Sequence, residues 1–483
     1  MEVNSASVKP DVLPTADAIA NARSKLLMTI PDDGIGFEEA KRHLNEDIVP
    51  GLNGNSLTAN YYGFVTGGAT PAAAFADNLV THWDQNVQVH LPEETIATDV
   101  EDRALRLLCD LIKLDPEQWS HRTFTTGATA SNLVGLACGR EYVIQEAARR
   151  RGQTVATSEV GLLEAVRAAG LDSIQILTTV AHSSLRKSAS IVGLGRNSVQ
   201  KVSREDAPHK FDLARLESLL ATPCVASIVA ISCAEVNTGL FATDRSDGIK
   251  IRELCDKYGA WIHVDAAFGL LARALPDTSE YSLLHEGVHC LEIADSITGD
   301  AHKLINVPYD CGIFLSRDVQ LATRVFQNPS AAYLTPASPS PSTGPVIQSP
   351  LNIGIENSRR FRALPVYSTL VAYGAKGYQG MLERQIALSR AIAKHISEGN
   401  DYELLPQIVQ ANWNHVYIIV LFRAKDETIN KNLVQRLNGT RKLYVSGTQW
   451  DGAPAARFAV SNWQVDVERD MTIVTLVLAD ALQ

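Results

Sequence analysis

Lys303 stands in an apolar, turn-rich passage, DSITGDAHKLINVPYDCG at 295–312, directly after His302. A lysine whose charge is disfavoured by burial becomes a nucleophilic amine, and such an amine forms an imine with an aldehyde. A single lysine is more commonly a solvated surface residue, so that alternative stays open for Lys303 taken alone. The passage therefore indicates covalent chemistry only in the company of other residues.

Asp265 ends an apolar strand pattern, HVDAAFG at 263–269. An isolated carboxylate is costly among apolar strand residues, so Asp265 needs a partner. A protonated ring nitrogen would supply one through a charge-assisted hydrogen bond, and the small Ala266 and Ala267 leave room for a flat ring. An arginine from a neighbouring segment is the alternative partner.

Three small residues open a helix pattern in TTGATASNLVGLACGRE at 125–141, namely Gly127, Ala128 and Thr129. The first amides of a helix lack partners and the helix dipole is positive there, so this turn suits a phosphate group. A threonine N-cap after an ordinary turn would give the same pattern.

His182 opens the segment HSSLRKSASIVGLG at 182–195, which follows a strand pattern. A histidine ring at the exit of a strand can stack on a planar cofactor. A lone histidine is more often a structural residue with satisfied hydrogen bonds. Each of these four segments is weak evidence when it is taken singly.

The elements that must position these residues form an α/β pattern. Short β-branched runs alternate with helical segments, at 173–179, 227–233, 261–267 and 311–316. This alternation predicts a mainly parallel sheet covered on both faces, with the site where the strands end. We expect an N-terminal segment over 1–98, a large domain over 99–370 and a small α+β domain over 371–483.

The composition favours a globular protein that acts on small molecules. The chain has 483 residues, 45% hydrophobic and 20% charged, with a net charge of -10 and no basic block, so nucleic acid is not an expected partner. No apolar run is long enough for a membrane span and no signal-peptide pattern is present, so we expect no membrane association and a cytoplasmic location. The seven cysteines lack a CxxC pair, so we expect reduced core residues and no metal site.

The order of the four segments, with DAHK followed by NVPYDCG, resembles the group II decarboxylases of the pyridoxal-phosphate fold type I superfamily, which include aromatic L-amino-acid decarboxylase. The resemblance covers residues 60–378 and extends more faintly to the end. It implies pyridoxal 5'-phosphate as the cofactor, bound by Lys303 as a Schiff base, with Asp265 on the ring nitrogen and His182 over the ring. The other implied cofactor-binding residues are Gly127, Ala128, Thr129, Asn237, Ala267 and His302.

The resemblance also implies residues that act on the substrate. Tyr333 in AAYL, on a Pro- and Ser-rich segment, matches a loop tyrosine that gives a proton to the substrate Cα, and a phenol keeps its proton at neutral pH. Thr66 in GFVTGG matches a residue near the substrate carboxylate. Phe64 in NYYGFV would line an aromatic pocket, although core packing explains an aromatic residue there equally well.

The implied activity is decarboxylation of an L-amino acid, aromatic by resemblance, to an amine and carbon dioxide. Aldehyde synthesis with oxidative deamination and carbon–carbon lyase chemistry are the alternatives. Asp300 and Ala301 replace the usual Asn-Pro, and Leu304 replaces a common tryptophan, which puts the substrate in doubt. We also expect a homodimer with active sites at the interface.

Overall fold

The computed structural model describes residues 11–328 and 347–483. The chain divides into two compact units, which we call the large unit, Ala69–Glu383, and the small unit, the chain up to Gly68 together with Arg384–Gln483. The expected division into three parts stays a prediction. Within the described ranges, no helix combines the length and the apolar character needed to cross a membrane.

The described strands are numbered in chain order. They are β1 Tyr61–Tyr62, β2 His121–Thr125, β3 Ser173–Thr178, β4 Val199–Lys201, β5 Val225–Ser232, β6 Trp261–Asp265, β7 Ser296–Asp300, β8 Gly312–Ser316, β9 Tyr402–Leu405, β10 Ile419–Ala424, β11 Tyr444–Trp450 and β12 Ala453–Ala459.

The described α-helices are numbered in the same way. They are α1 Ala16–Lys25, α2 Phe37–His43, α3 Pro71–Trp83, α4 Ala97–Leu111, α5 Ala128–Arg150, α6 Thr157–Val160, α7 Leu162–Ala168, α8 Ser183–Ile191, α9 Leu213–Leu220, α10 Arg245–Tyr258, α11 Ser282–Val288, α12 Cys290–Ile293, α13 Ala301–Leu304, α14 Val319–Phe326, α15 Ala363–Glu398, α16 Gln407–Ala411, α17 Glu427–Gly439 and α18 Val467–Asp480.

The large unit contains a seven-stranded sheet in the order β2-β8-β7-β6-β5-β3-β4. The neighbours from β4 to β7 are parallel, whereas β8 runs antiparallel to both β7 and β2. Consequently β2 points the same way as β7, and the carboxyl ends of β2, β3, β6 and β7 lie at one edge. The prediction of a mainly parallel α/β sheet is confirmed.

Helix α10 connects β5 to the parallel strand β6 and so forms a βαβ unit. Asp244 caps α10 by accepting a hydrogen bond from the Asp247 amide, and the helix ends at Gly259. Gly259 has a φ of 73°, in the left-handed region where glycine carries no Cβ penalty. The chain then enters β6 at Trp261, which places Asp265 at the far end of that strand.

Helix α5 lies closely against β6 because two glycines face the sheet. A Cβ at Gly135 would overlap the His263 ring, and a Cβ at Gly139 would lie 2.8 Å from Cδ1 of Trp261. Val134 and Ile144 of the same helix belong to the buried apolar cluster of the large unit. The helix that follows β2 is therefore held firmly over the centre of the sheet.

The small unit contains a five-stranded sheet in the order β1-β11-β12-β10-β9. Strands β9, β10, β12 and β11 form antiparallel neighbours, and β1 pairs in parallel with β11. Strands β9 to β12 lie within the segment 371–483, for which an α+β structure was expected. All seven cysteines are free; six are buried, and Cys224 is exposed, so the expectation of a core position is wrong for Cys224.

Candidate active site

Four sequence-predicted residues lie at the carboxyl edge of the large sheet. Gly127 follows β2 and precedes α5, His182 precedes α8, Asp265 ends β6, and Lys303 lies in α13 directly after β7. Strands β6 and β7 are adjacent, with Asp265 opposite Thr298 in their register. The edge of an open α/β sheet at which its strands end is where such folds bind ligands.

Lys303 is paired with Asp300, the last residue of β7. Its Nζ lies 2.9 Å from Oδ2 of Asp300, and the two side chains are 17% and 3% exposed. The Nζ also lies 5.8 Å from the centroid of the Phe268 ring. Lys303 is therefore a largely enclosed amine and not a solvated surface lysine.

Asp300 also connects β7 to the start of α5. The Ala128 N–H donates a hydrogen bond of 2.6 Å to Oδ1 of Asp300. A Cβ at Gly312 in β8 would lie 2.5 Å from Cα of Gly127, so the glycine at 312 permits this close approach. The Thr129 carbonyl accepts a hydrogen bond of 3.2 Å from Ser188 Oγ of α8.

His302 is buried beside this ion pair. Its Nδ1 accepts a hydrogen bond of 3.2 Å from the Cys311 amide, so the ring carries its proton on Nε2, which lies 3.6 Å from Oδ2 of Asp300. Burial lowers the pKa of His302, with Asp300 acting in the opposite direction. Its ring centroid lies 4.5 Å from that of Tyr309.

Asp265 is held by two N–H groups. The Ala267 amide donates to Oδ1 at 3.2 Å, and Nδ2 of Asn132 on α5 donates to Oδ2 at 2.9 Å. Within residues 11–328 and 347–483 no arginine forms an ion pair with this carboxylate. The arginine alternative is therefore wrong for the described part of the chain.

His182 is joined to Asp265 through two polar side chains. It is the N-cap of α8, and its Nδ1 accepts a hydrogen bond from the Ser184 amide at 3.2 Å. The same Nδ1 lies 2.8 Å from Ser184 Oγ, which accepts a hydrogen bond of 3.1 Å from Nδ2 of Asn132. The predicted ring-stacking residue and the predicted ring-nitrogen partner are therefore connected through Ser184 and Asn132.

Two further predicted residues are not brought into this cluster by the described contacts. Asn237 lies in the loop after β5, and its amide donates a hydrogen bond of 2.9 Å to Oε2 of Glu235. Tyr333 lies outside the described residues. The roles of Asn237 and Tyr333 stay predictions.

The predicted substrate residues Thr66 and Phe64 belong to the small unit. Thr66 is buried and its hydroxyl donates a hydrogen bond of 2.9 Å to the Gly63 carbonyl. Phe64 is 64% exposed and its ring centroid lies 6.2 Å from that of Tyr444. The exposure of Phe64 is at odds with simple core packing, and its role in a pocket stays a prediction.

Sequence reasoning missed Asn132 and Ser184, and it treated Asp300 only as a departure from a pattern. A signal for Asn132 was present, because asparagine is a poor residue for a helix interior and GATASNLVG places it in the second turn. Ser184 stands in the quoted HSS, where a helix-capping role alone would account for it.

The chain was compared with known protein families and curated proteins. The pyridoxal-dependent decarboxylase conserved domain matches residues 43–425. L-2,4-diaminobutyrate decarboxylase of Acinetobacter baumannii is 27% identical over 370 residues, covering 74% of this chain and 68% of that protein. Tryptophan decarboxylase 1 of Oryza sativa subsp. japonica is 23% identical over 477 residues, covering 95% of this chain and 86% of that protein.

A curated aldehyde-forming relative and a solved structure complete the comparison. The 3,4-dihydroxyphenylacetaldehyde synthase of Drosophila melanogaster is 27% identical over 286 residues, covering 58% of this chain and 52% of that protein. The crystal structure of Oryza sativa TDC with PLP and tryptamine superposes with a TM-score of 0.79 at 21% identity, covering 98% of this chain and 93% of that chain. The family match spans most of the chain and the fold is that of fold type I, so this chain belongs to the pyridoxal-dependent decarboxylases and uses pyridoxal 5'-phosphate as its cofactor.

Proposed function

We propose that this enzyme converts an aromatic L-amino acid into the corresponding amine and carbon dioxide. The observation that carries the proposal is the placement of Lys303 and Asp265 at the ends of two adjacent parallel strands, β7 and β6. Such a pair can hold the two ends of a flat aromatic cofactor, one through a covalent bond and the other through a charged hydrogen bond.

The described residues fit the three reactive parts of pyridoxal 5'-phosphate. The enclosed amine of Lys303 suits the aldehyde, the carboxylate of Asp265 suits the ring nitrogen, and the start of α5 suits the phosphate. A Cβ at Gly127 would be in van der Waals contact, 3.4 Å from Cε1 of His302 and 3.6 Å from Oδ1 of Asp300, and would fill the volume beside the helix start. A glycine leaves that volume free.

The cofactor, when bound, supplies an electron-withdrawing ring that accepts the electron pair released as the bond from Cα to the carboxylate breaks. In our proposal Lys303 would hold the cofactor covalently through its aldehyde carbon. Asp265 would hold the ring nitrogen through a charge-assisted hydrogen bond, and His182 would stack on the ring. Tyr333 donates its phenolic proton to Cα after carbon dioxide has left.

The choice of an aromatic substrate rests on similarity. The rice relative that is named a tryptophan decarboxylase matches over 95% of this chain. Thr66 would contact the substrate carboxylate, and Phe64 would contact an aromatic side chain. A diaminobutyrate substrate is the competing choice, because the Acinetobacter relative of that name has the higher identity, 27%.

Aldehyde synthesis is the second candidate, and the Drosophila relative is the observation that favours it. In that reaction decarboxylation is coupled to oxidative deamination, with dioxygen as the oxidant and an aldehyde, carbon dioxide, ammonia and hydrogen peroxide as products. A phenylalanine at the loop position would favour this outcome, whereas Tyr333 can protonate Cα and so favours the amine.

We further propose that the enzyme is a cytoplasmic homodimer whose only ligands are the cofactor and a small amino acid. Support for a dimer comes from exposed apolar side chains in the segment 26–57 of the small unit. Met28 is 93% exposed and Ile30 is 92% exposed, and clusters of this kind commonly mark protein interfaces.

The reaction is tested with purified protein, pyridoxal 5'-phosphate and a panel of tryptophan, tyrosine, phenylalanine, DOPA, histidine, glutamate and 2,4-diaminobutyrate. We expect equal amounts of carbon dioxide and amine from an aromatic substrate, with no hydrogen peroxide. Lys303→Ala is expected to show neither turnover nor the visible absorption of the bound cofactor. Lys250→Ala, at an exposed position of α10, is the matched control.

Three results would contradict the proposal. Hydrogen peroxide and ammonia in place of amine would establish aldehyde synthesis. Turnover of 2,4-diaminobutyrate alone would exclude an aromatic substrate. Unchanged turnover in Lys303→Ala would remove the covalent role of that lysine.

A further inference from the structure

A buried hydrogen-bond chain runs from β6 and β7 through α5 to the carboxylate of Asp265. Its members lie almost fully out of solvent: Trp261 is 3% exposed, and Ser296, His263 and Asn132 are 0% exposed. Trp261 Nε1 lies 2.9 Å from Ser296 Oγ, and Ser296 Oγ lies 2.8 Å from Nδ1 of His263. Nε2 of His263 lies 2.9 Å from Oδ1 of Asn132, whose Nδ2 lies 2.9 Å from Oδ2 of Asp265.

The groups at the two ends of this hydrogen-bond chain determine which atom donates and which accepts in each of its hydrogen bonds. The indole of Trp261 can only donate, so Ser296 accepts from it and turns its own hydroxyl proton toward Nδ1 of His263. At the other end, the carboxylate of Asp265 only accepts, so the Asn132 amide must turn its nitrogen toward it. Oδ1 of Asn132 then faces His263 and requires a proton on Nε2.

The protonation of His263 agrees with this direction. Burial lowers the pKa of the imidazole from its ordinary 6.5 to about 4, with Asp265 acting in the opposite direction, so the ring is neutral at physiological pH. A neutral imidazole has one donor and one acceptor. His263 accepts at Nδ1 and donates at Nε2, which is the tautomer that both neighbours need.

The packing of α5 against β6 leaves room for the His263 ring of this hydrogen-bond chain. Gly135 follows Asn132 by three residues and therefore lies on the same helix face. Any side chain at Gly135 would overlap the His263 ring and push it away from Asn132. The asparagine and the glycine thus form one binding surface for the histidine.

We propose that Asn132 is a positioning residue that aims the Asp265 carboxylate at the ring nitrogen of the cofactor and, through Ser184, also fixes His182. The proposal rests on the role proposed above for Asp265. With Oδ2 bound by Asn132 and Oδ1 bound by Ala267, the carboxylate cannot rotate freely. Removing the Asn132 amide would release one oxygen and leave His263 without its acceptor.

Asn132→Leu tests the proposal, because leucine has a similar volume and no hydrogen-bonding group. The apoenzyme is titrated with pyridoxal 5'-phosphate, and we expect the dissociation constant to rise by roughly tenfold, as for other outer partners of a functional group. The visible absorption of the bound cofactor should also change. We expect kcat to fall by roughly ten- to a hundredfold while KM stays within about twofold.

Gln175→Leu is the matched control, since it also replaces a buried side-chain amide of the large unit, here in strand β3. Gln175 donates to the Leu219 carbonyl and to Ser227 Oγ, each at 3.0 Å. We expect it to lower the thermal unfolding midpoint of the apoenzyme without altering cofactor affinity or absorption. An equal effect of both variants on cofactor affinity would reduce Asn132 to a purely structural residue and overturn the proposal.

Asp265→Asn separates this inference from the proposed function. If Asp265→Asn changes cofactor affinity and absorption but Asn132→Leu does not, the role of Asn132 is refuted and that of Asp265 stands. If neither variant changes them, the role of Asp265 is refuted as well.

If Asn132→Leu does not fold, two variants of His263 test the proposal instead. His263→Gln keeps an N–H donor near the position of Nε2, whereas His263→Leu does not. We expect His263→Gln to bind the cofactor nearly as the unaltered enzyme does and His263→Leu to lose roughly tenfold in affinity. Equal affinities for the two would overturn the proposal.

Discussion

The negatively charged carboxylate of Asp300 lies where the phosphate of the cofactor is expected to bind. Its carboxylate accepts the Ala128 amide at the start of α5 and pairs with Lys303. Both partners are predicted cofactor-binding residues, the first for the phosphate and the second for the aldehyde. An anionic phosphate near that helix start is repelled by the carboxylate and competes with it for the same amide.

Asp300→Asn is therefore expected to tighten the binding of pyridoxal 5'-phosphate to the apoenzyme, by about three- to tenfold, because it removes one like charge. Equilibrium titration gives the dissociation constant. Pyridoxal, which lacks the phosphate, should gain less. Asp212→Asn makes the same change of charge and shape at the N-cap of α9 and should have no effect. Weaker binding of both compounds in Asp300→Asn would instead mean that the carboxylate is needed to orient Lys303.

Strand β2 contains a buried histidine whose neutral form is part of the fold. His121 is 0% exposed, and its Nε2 donates a hydrogen bond of 2.7 Å to the Ile353 carbonyl. Burial lowers its pKa from 6.5 to about 4. Between these values the unfolded chain binds the proton and the folded chain does not, so the free energy of unfolding falls as the pH falls from 6.5 toward 4, by about 3 kcal/mol in total.

His121→Gln should flatten this pH dependence, since glutamine keeps a donor for the Ile353 carbonyl and does not titrate. Thermal unfolding followed by circular dichroism at about pH 7 and about pH 5 provides the measurement. We expect a smaller drop in midpoint for the variant than for the unaltered protein. An identical drop in both proteins would assign the acid sensitivity to other groups.

The helices and strands that could be predicted are those with a recognisable pattern among residues that are adjacent in sequence. Strands β3, β5, β6 and β8 are rich in apolar and β-branched residues, so the sequence alone places them within a few residues. Strand β7 was missed because SITGD has a single aliphatic side chain, Ile297, although it is the strand that places Lys303. Its burial comes from its neighbours in the sheet, which no local pattern reveals.

The residues of the site likewise separate into those that the sequence could predict and those that it could not. Lys303, Asp265 and His182 could be proposed because each is chemically unusual in its own segment. The sequence marks Asn132 only as an unfavourable residue inside a helix, because its partners His263 and Asp265 are more than a hundred residues away and its role exists only after the sheet has formed. The sequence showed Asp300 only as a departure from the usual Asn-Pro. Its contact with Ala128 joins residues 172 positions apart and forms only in the folded protein.

At the scale of the whole molecule, the segment 26–57 is expected to bury its apolar side chains against a second copy of the chain. Replacing Met28 and Ile30 together by aspartate should convert the dimer into a monomer, because charge in an apolar interface is costly. Size-exclusion chromatography with light scattering measures the mass. The same double change at Leu163 and Ile191, which are also exposed, is the control and should leave a dimer. A dimer that survives the first change would exclude this segment as the interface.

The antiparallel strand β8 also constrains the order of events during synthesis on the ribosome. It is the strand that joins β2 to β7, and it leaves the ribosome after both of them. A nascent chain that stops before Gly312 already contains Lys303, yet β2 lacks the strand that pairs with it, so the turn at 127–129 is held to the sheet only through the packing of α5 on β5, β6 and β7. We therefore expect the cofactor to bind tightly only after β8 has been synthesised.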